Sequence, residues 1–429
     1  MRLEIGSIFI RDVQFADATA VKDGVLYVDR AALAAAAAGE DERIKSVEVF
    51  LARPGESVRI LPVKDVVEPR VKVAGPGGIF PGFTSNVEQV GSGRTHVLKG
   101  AAVVTTGKIV GFQEGIIDMQ GPGAEYTPFS KTYNVVVKVE PIDSLKQHEH
   151  EVVVRLAGLR AAKYLGEAGR DVEPDEVRVY ETKPLLEQVA EYPNLPKVAY
   201  VYMLQTQGLL HNTYYYGVDV KQIVPTFMYP TEAMDGAIVS GNCVSACDKN
   251  PTYVHLNSPV IEDLYAQHGK TINFIGCVVT NENVTLMDKE RSSNMAAKLI
   301  GFLGADAVII SEEGFGNPDA DLVMNCNKIE KQGIKTVLIT DEYAGQDGAS
   351  QSLADSTPLG NACVTAGNAN EVVTLPPMEQ VYGYPEVANV IAGGWDGSLA
   401  ADGSITAEIQ VITGATNELG FHKLTARGI

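Results

Sequence analysis

TINFIGCVVTNENVTLMDKERSSNMAAKLIGFLGADAVIISEEGFGNPDADLVMNCNKIEKQGIKTVLITDE, residues 271–342, decides the fold. Three apolar β-branched runs, TINFIGCVVT, ADAVIIS and KTVLITDE, alternate with two amphipathic stretches, ERSSNMAAKLIGFLG and NPDADLVMNCNKIEKQG. Gly304 is placed to cap the first helix, since a glycine takes the left-handed turn that ends a helix at no steric cost. Pro318 falls in the first turn of the second helix and Gly333 near its end. Strands alternating with helices give parallel βαβ units buried on both faces. EVVTLP, residues 371–376, predicts a fourth strand. The expected architecture is a three-layer α/β domain of flavodoxin-like style beginning near residue 270.

Upstream the pattern changes. SVEVFLA (46–52), RVKVAG (70–75), AAVVTTGKIVGF (101–112) and YNVVVKVE (133–140) are short strand-forming runs between Gly and Pro turns. AALAAAAAGEDERI (31–44) predicts one short helix stopped near Gly39. Antiparallel sheet with a helix packed on it, an α+β arrangement, is expected over the first 140 residues. A helix is expected from Glu151 to about Ala168, and PKVAYVYMLQ (196–205) reads as a buried strand. The chain therefore combines a strand-rich N-terminal half with an α/β C-terminal half.

Composition narrows the function classes. Of 429 residues, 45% are hydrophobic and 21% charged, enough apolar material for a sizeable core. The net charge of −19 repels phosphate backbones and anionic lipid, which argues against nucleic-acid and membrane partners. MRLEIGSIFIRDVQF reads as no signal peptide, and no apolar run is long enough to span a bilayer. Five thinly spread cysteines fit a reducing cytoplasm better than a disulfide framework.

Between the halves lies GAIVSGNCVSACDKNPTYVHLNSP (236–259), with little periodicity. A Cys after Gly-Asn in a tight turn can attack the preceding carbonyl. The Cys243 thiol would add to the Asn242 carbonyl, and the strained turn that Gly241 permits would ease the acyl shift. β-Elimination, tautomerisation and loss of ammonia would then leave a pyruvoyl group on the new N-terminus, an electron sink needing no external cofactor. From spacing alone, the weightier reading of Cys243 and Cys247 is two buried, inert thiols. A zinc site is weaker still, because no second ligand pair stands at suitable spacing.

The stretch Gly241-Asn242-Cys243-Val244-Ser245-Ala246-Cys247-Asp248 resembles the proprotein of the alpha and beta subunits of component B in the glycine, sarcosine and betaine reductase family. The opening MRLEIGSIFIRDVQF, the loop GPGGIFPGF (75–83), EEGFGNPDADL (312–322) and the overall length support the likeness, which covers essentially the whole chain. The D-proline reductase proprotein is a more distant relative with a similar processed Cys. The resemblance implies cleavage at Asn242–Cys243 into an alpha subunit, 1–242, and a beta subunit, 243–429. Scaled by length from 45.9 kDa, these are roughly 26 and 20 kDa. It further implies that a pyruvoyl group derived from Cys243 forms a Schiff base with the amine of glycine or a close relative. A selenocysteine-containing subunit of component B then attacks the α-carbon, and the carboxymethyl group passes to a small selenoprotein, component A. Ammonia is released, so the whole is a reductive deamination by a cytoplasmic hetero-oligomer. Betaine, with its quaternary nitrogen, cannot form an imine and would demand another role for the carbonyl.

Other candidates are weighed beside this. Glu312 and Glu313 follow an apolar strand and precede a helix, where open α/β sheets bind ligands. With Asn317 they are candidates for holding the substrate or moving protons; the competing reading is a solvated turn with a helix cap. His255, just after the cleavage site, and Cys247 join them, and His211 lies beside Tyr214–Tyr216. Each histidine is also readable as a satisfied core residue. The loop 75–83 lacks a phosphate-loop ending, so no nucleotide site is expected. It serves either as a wall around Cys243 or as a plain turn. His148, Glu149, His150 and Glu151 alternate and read as a charged strand edge, with no metal expected. Ser292 and Ser293 have no His–Asp system to pair with. The rival from another class is a non-catalytic module in which Cys243 stays a thiol, the chain stays intact, and the α/β domain binds a small ligand or docks a partner.

Overall fold

The computed structural model describes residues 1–108, 115–206, 213–241 and 250–414, and the backbone of 427 and 428. A parallel sheet runs in the order Asn273–Asn281, Lys197–Leu204, Ala307–Ser311, Lys335–Glu342, Cys363–Asn368. Numbered along the chain this is 2-1-3-4-5, the flavodoxin-like order. Thr226–Met228 adds an antiparallel strand at one edge, and Arg427–Gly428 does so at the other. The sequence-read helices form as expected. Leu286–Leu303 starts at Thr285, whose hydroxyl accepts from the Asp288 amide, and ends at Gly304 with φ +66°. Asn317–Glu330 carries Pro318 in its first turn.

Both faces of the sheet are buried, which is why its strands read as continuous apolar runs. Ala199, Val201 and Met203 of the central strand point to one side, beneath Ala296, Ala297, Ile300, Leu322, Cys326 and Ile329 of those two helices. Tyr200, Tyr202 and Leu204 point to the other, into a core shared with Val254, Ile261, Leu264 and the N-terminal sheets.

The N-terminal half holds a four-stranded sheet (Glu176–Glu181, Arg2–Phe9, Gly93–Lys99, Arg70–Ala74) and a six-stranded one. The order in the second is Gly115–Asp118, Val58–Val67, Ala101–Gly107, Tyr133–Pro141, Ile44–Ala52. Its sixth strand, Gln380–Gly383, pairs in parallel with Val58–Val67. Each large sheet thus borrows from across the Asn242–Cys243 bond. Lys197–Leu204 and Thr226–Met228 lie in the parallel sheet, and Gln380–Gly383 lies in the N-terminal one.

Several expectations need correction. The N-terminal sheets are mixed, not antiparallel. Arg2–Phe9 pairs in parallel with Gly93–Lys99, and Ala101–Gly107 with Tyr133–Pro141, because long connections let the chain return in the same direction. His148–Glu151 do not edge a strand. They open a long helix, Gln147–Glu167, whose start is fixed by the Glu149 carboxylate accepting from the Lys146 amide at 3.0 Å. EVVTLP does not supply the fourth parallel strand. Cys363–Asn368 takes that place, while Val372–Leu375 pairs with Ile405–Glu408 in a separate antiparallel ribbon. The alanine helix forms at Arg30–Ala38, capped by Asp29 and ended by Gly39.

Candidate active site

In a 2-1-3-4-5 sheet the connections leave in opposite directions between strands 1 and 3, and a crevice opens beyond their carboxyl ends. Here those ends are Gln205, after the central strand, and Glu312-Glu313, after Ala307–Ser311. Glu313 is fully buried. Its Oε2 accepts from the Gln205 amide at 2.7 Å and the Thr213 hydroxyl at 2.8 Å, and its Oε1 from the Asn250 amide at 3.0 Å. One carboxylate therefore gathers donors from three separate segments. His255, also fully buried, brings Nε2 within 3.2 Å of Glu313 Oε1 without the alignment of a hydrogen bond. Its Nδ1 lies 2.7 Å from the Tyr202 hydroxyl. Tyr202 and Glu313 thus stand at the two nitrogens of the His255 ring.

Further carboxylates crowd this edge. The Glu313 amide donates to Glu282 Oε1 at 2.7 Å. Burial first, and the neighbouring Glu313 charge second, push the Glu282 carboxyl well above the usual range. Its Oε2 has no donor among the described residues. Glu312 turns the other way, accepting from the Thr340 hydroxyl and facing Asp319. Burial and then the Asp319 charge raise it well above its ordinary value. Asn317 is exposed at the start of its helix, and its backbone carbonyl accepts from Lys289 Nζ at 2.8 Å. Among the described residues, no group of three or more His, Cys, Asp or Glu side chains is arranged to hold a metal ion.

Asn242, Cys243 and Cys247 lie outside the described residues, as does His211. The residues flanking 242–249 are described, and they are tightly held. Ser240 pairs with Thr213 across a short antiparallel ribbon. The Ser240 amide donates to Thr252 Oγ1 at 3.0 Å. The Thr252 amide and hydroxyl in turn donate to the two oxygens of Asp65, at 2.9 and 2.7 Å. Burial raises the Asp65 carboxyl to about 6 against the pull of these hydrogen bonds. Asn250 is anchored on Glu313.

The structure brings Glu313 and His255, two separate candidates of the sequence, to one location, and joins to them Tyr202, Asp65, Thr252 and Glu282, which the sequence did not single out. Glu282 was findable, because it too follows the end of a parallel strand. Asp65 carries no local signal. The loop 75–83 packs on the hairpin that delivers Thr213. Gly82, at φ +85°, lies so close to that turn that a Cβ would sit 2.7 Å from the Tyr216 carbonyl oxygen.

Residues 1–427 match the family described as glycine/sarcosine/betaine reductase component B subunits. The chain belongs to this family. It is similar to the protein named "Glycine reductase complex component B subunits alpha and beta" of Acetoanaerobium sticklandii, 68% identical over 429 residues and all of both chains. The protein of the same name from Peptoclostridium acidaminophilum is 68% identical over 428 residues, again covering both chains completely. "Sarcosine reductase complex component B subunit alpha" of the latter organism is 61% identical over 427 residues, with the same coverage. No solved structure matches the chain. Membership in component B makes the chain part of a multi-component reductase complex, and so of an oxidoreductase system. No described helix is long and apolar enough to cross a membrane.

Proposed function

We propose that this component B chain cleaves itself between Asn242 and Cys243, and that the Cys243-derived pyruvoyl group activates glycine for reductive deamination. The observation that carries this reading is the anchoring of both flanks of 242–249 at one crevice, Ser240 through Thr252 to Asp65 and Asn250 to Glu313. The residues present suit such a group. The Ser240–Gly241 and Asn250 stems would hold it beside buried proton-bearing side chains, and Glu282 has an oxygen without a donor among the described residues.

The pyruvoyl carbonyl supplies an electrophile that takes up an amine nitrogen and withdraws electrons from it. The chain's own residues do the rest of the preparation. Glu313 fixes the crevice by drawing three segments onto one carboxylate. His255, with one ring nitrogen toward Glu313 and the other toward Tyr202, is placed to relay a proton between them. Glu282, whose carboxyl burial and Glu313 push well above the usual range, is the acid placed to donate to a departing nitrogen. Burial of these groups excludes water from the crevice. The nucleophile for the α-carbon comes from another chain, a selenocysteine-containing partner, with a small selenoprotein taking the carboxymethyl group. Glycine is the first substrate proposed because the relatives named for it stand at 68% identity, against 61% for the sarcosine relative.

A denaturing gel and intact mass test this reading. Denaturing conditions are needed because each fragment contributes strands to both large sheets. Bands of roughly 26 and 20 kDa are expected, with the smaller starting in a blocked residue that lacks the sulfur of Cys243. Cys243→Ala should run as one chain. A free Cys at the new N-terminus, or cleavage that persists in Cys243→Ala, sinks the mechanism.

A further inference from the structure

Arg155 is a buried cation to which the chemistry above gives no task. Its side chain is 4% exposed on the inner side of the Gln147–Glu167 helix. Nε donates to Glu151 Oε1 at 2.8 Å, and Nη2 to Glu151 Oε2 at 3.4 Å. Nη1 has no acceptor among the described residues. Guanidinium N–H groups taken out of water and left without an acceptor are costly, and an arriving anion removes that cost. The rings of Phe83 and Tyr214, set edge to face at 82°, lie 4.7 and 4.2 Å from the guanidinium carbon. They fix the plane of the fork, while Glu151 occupies one side of it.

The position of this fork ties it to the candidate site. One turn along the helix, Gly158 abuts Thr105, where a Cβ would come within 2.4 Å of the Thr105 methyl. The Thr105 hydroxyl donates to the Asp65 carbonyl at 3.3 Å, and the Asp65 side chain holds Thr252 and through it Ser240. The charge of Asp65 is felt at Arg155. Tyr214, beneath the guanidinium, is next in sequence to Thr213, the partner of Ser240. Arg155 therefore stands beside the stem from which the Cys243 segment departs.

We propose that Arg155 binds the carboxylate of the substrate at Nη1, with Phe83 and Tyr214 as the walls of that seat. The inference rests on the proposed function in taking an amino acid as the substrate. Glycine, sarcosine and betaine share a carboxymethyl unit and differ at nitrogen, so an anchor that serves all three belongs at the carboxylate. Arginine suits a dry seat because it keeps its charge when buried and presents N–H groups in a fixed plane.

Titration calorimetry on the full chain tests this with glycine, acetate and methylamine. Acetate carries the carboxylate without the amine, and methylamine the reverse. Acetate is expected to bind the wild-type chain and to compete with glycine. It should bind equally to Cys243→Ala, because the carboxylate seat does not need the carbonyl. Arg155→Gln and Arg155→Lys should each weaken glycine and acetate at least about 30-fold. The ratio of glycine to methylamine affinity should fall with them. Arg155→Lys keeps a cation in the core and guards against a variant that merely unfolds, and a thermal melt checks both. The proposal is overturned if acetate fails to compete in the wild-type chain, or if a folded Arg155 variant retains the glycine-to-methylamine ratio. Acetate binding in a wild-type chain that is never cleaved would retain the carboxylate seat while removing the pyruvoyl reading.

Discussion

The N-terminal layers and the carboxyl edge of the parallel sheet bury charge in opposite ways. In the first, four buried cations each meet an acid, while Asp65 is held by Thr252 instead. Arg59 grips Asp118 with two hydrogen bonds of 2.6 and 2.8 Å, Arg70 grips Glu68, Lys72 meets Asp235, and Arg155 meets Glu151. At the second, buried acids face one another: Glu282 beside Glu313, and Glu312 beside Asp319. Lys289, on Asp321, is a cation within that group. Matched pairs are what a fold needs to hide charge between layers. Crowded acids destabilise the fold, and such crowding is characteristic of places where protons are held for chemistry.

The sharpest way to break this comparison is to halve a pair. Asp118→Asn leaves the Arg59 guanidinium buried and poorly matched, and should destabilise the chain by about 3–5 kcal/mol in urea unfolding. Burial outweighs Arg59 even in the intact pair, holding the Asp118 carboxyl above its usual range. The pair is therefore weak in net terms, yet its half is worse. A loss below about 1 kcal/mol would erase the distinction between the regions.

A smaller effect comes from pH. Asp65 is raised from 3.8 to about 6 by burial. Between those values the folded state binds the proton that the unfolded state has released. The contribution of Asp65 is thus fully present below about pH 4 and is lost as pH rises through about 6. At about 1.4 kcal/mol per pKa unit, the loss is about 3 kcal/mol. Asp321, also raised to about 6 with burial outweighing Lys289, acts in the same direction. His150 acts oppositely. Burial, then Lys64 and Lys108, lower it to about 4, so its contribution is present above about 6.5 and lost as pH falls. Melting curves of wild type and Asp65→Asn between pH 4 and 7 should diverge, with the variant losing less stability as pH rises. Parallel curves would show that Asp65 does not titrate there.

The smallest effect on stability is expected at the acidic edge itself. Glu282→Gln replaces a carboxyl that burial and the Glu313 charge push well above its usual range, so unfolding should shift by less than about 1 kcal/mol or move toward greater stability. Turnover by the assembled complex should nevertheless fall by about 10-fold or more. A loss of stability comparable with Asp118→Asn would make Glu282 a structural group and remove the contrast.

What was legible follows the range of each signal. The helices at Arg30–Ala38, Leu286–Leu303 and Asn317–Glu330 announce themselves through caps and periodicity, which are local. The strand at Val372–Leu375 was recognisable as a strand, but its neighbour was not, because pairing depends on where a distant segment lands. His148–Glu151 misled because four alternating residues fit two periods, and a single capping carboxylate three residues from Lys146 decided for helix.

The sequence by itself determined the parallel α/β core and the family, since apolar periodicity and a contiguous motif are written along the chain. Only the tertiary structure brought Asp65, Tyr202 and Glu282 to Glu313 and His255, and set Arg155 against Phe83 and Tyr214. Their roles arise from burial and from neighbours remote in sequence. A carboxyl at position 65 is ordinary until a threonine 187 residues later turns both its donors toward it in a place without water.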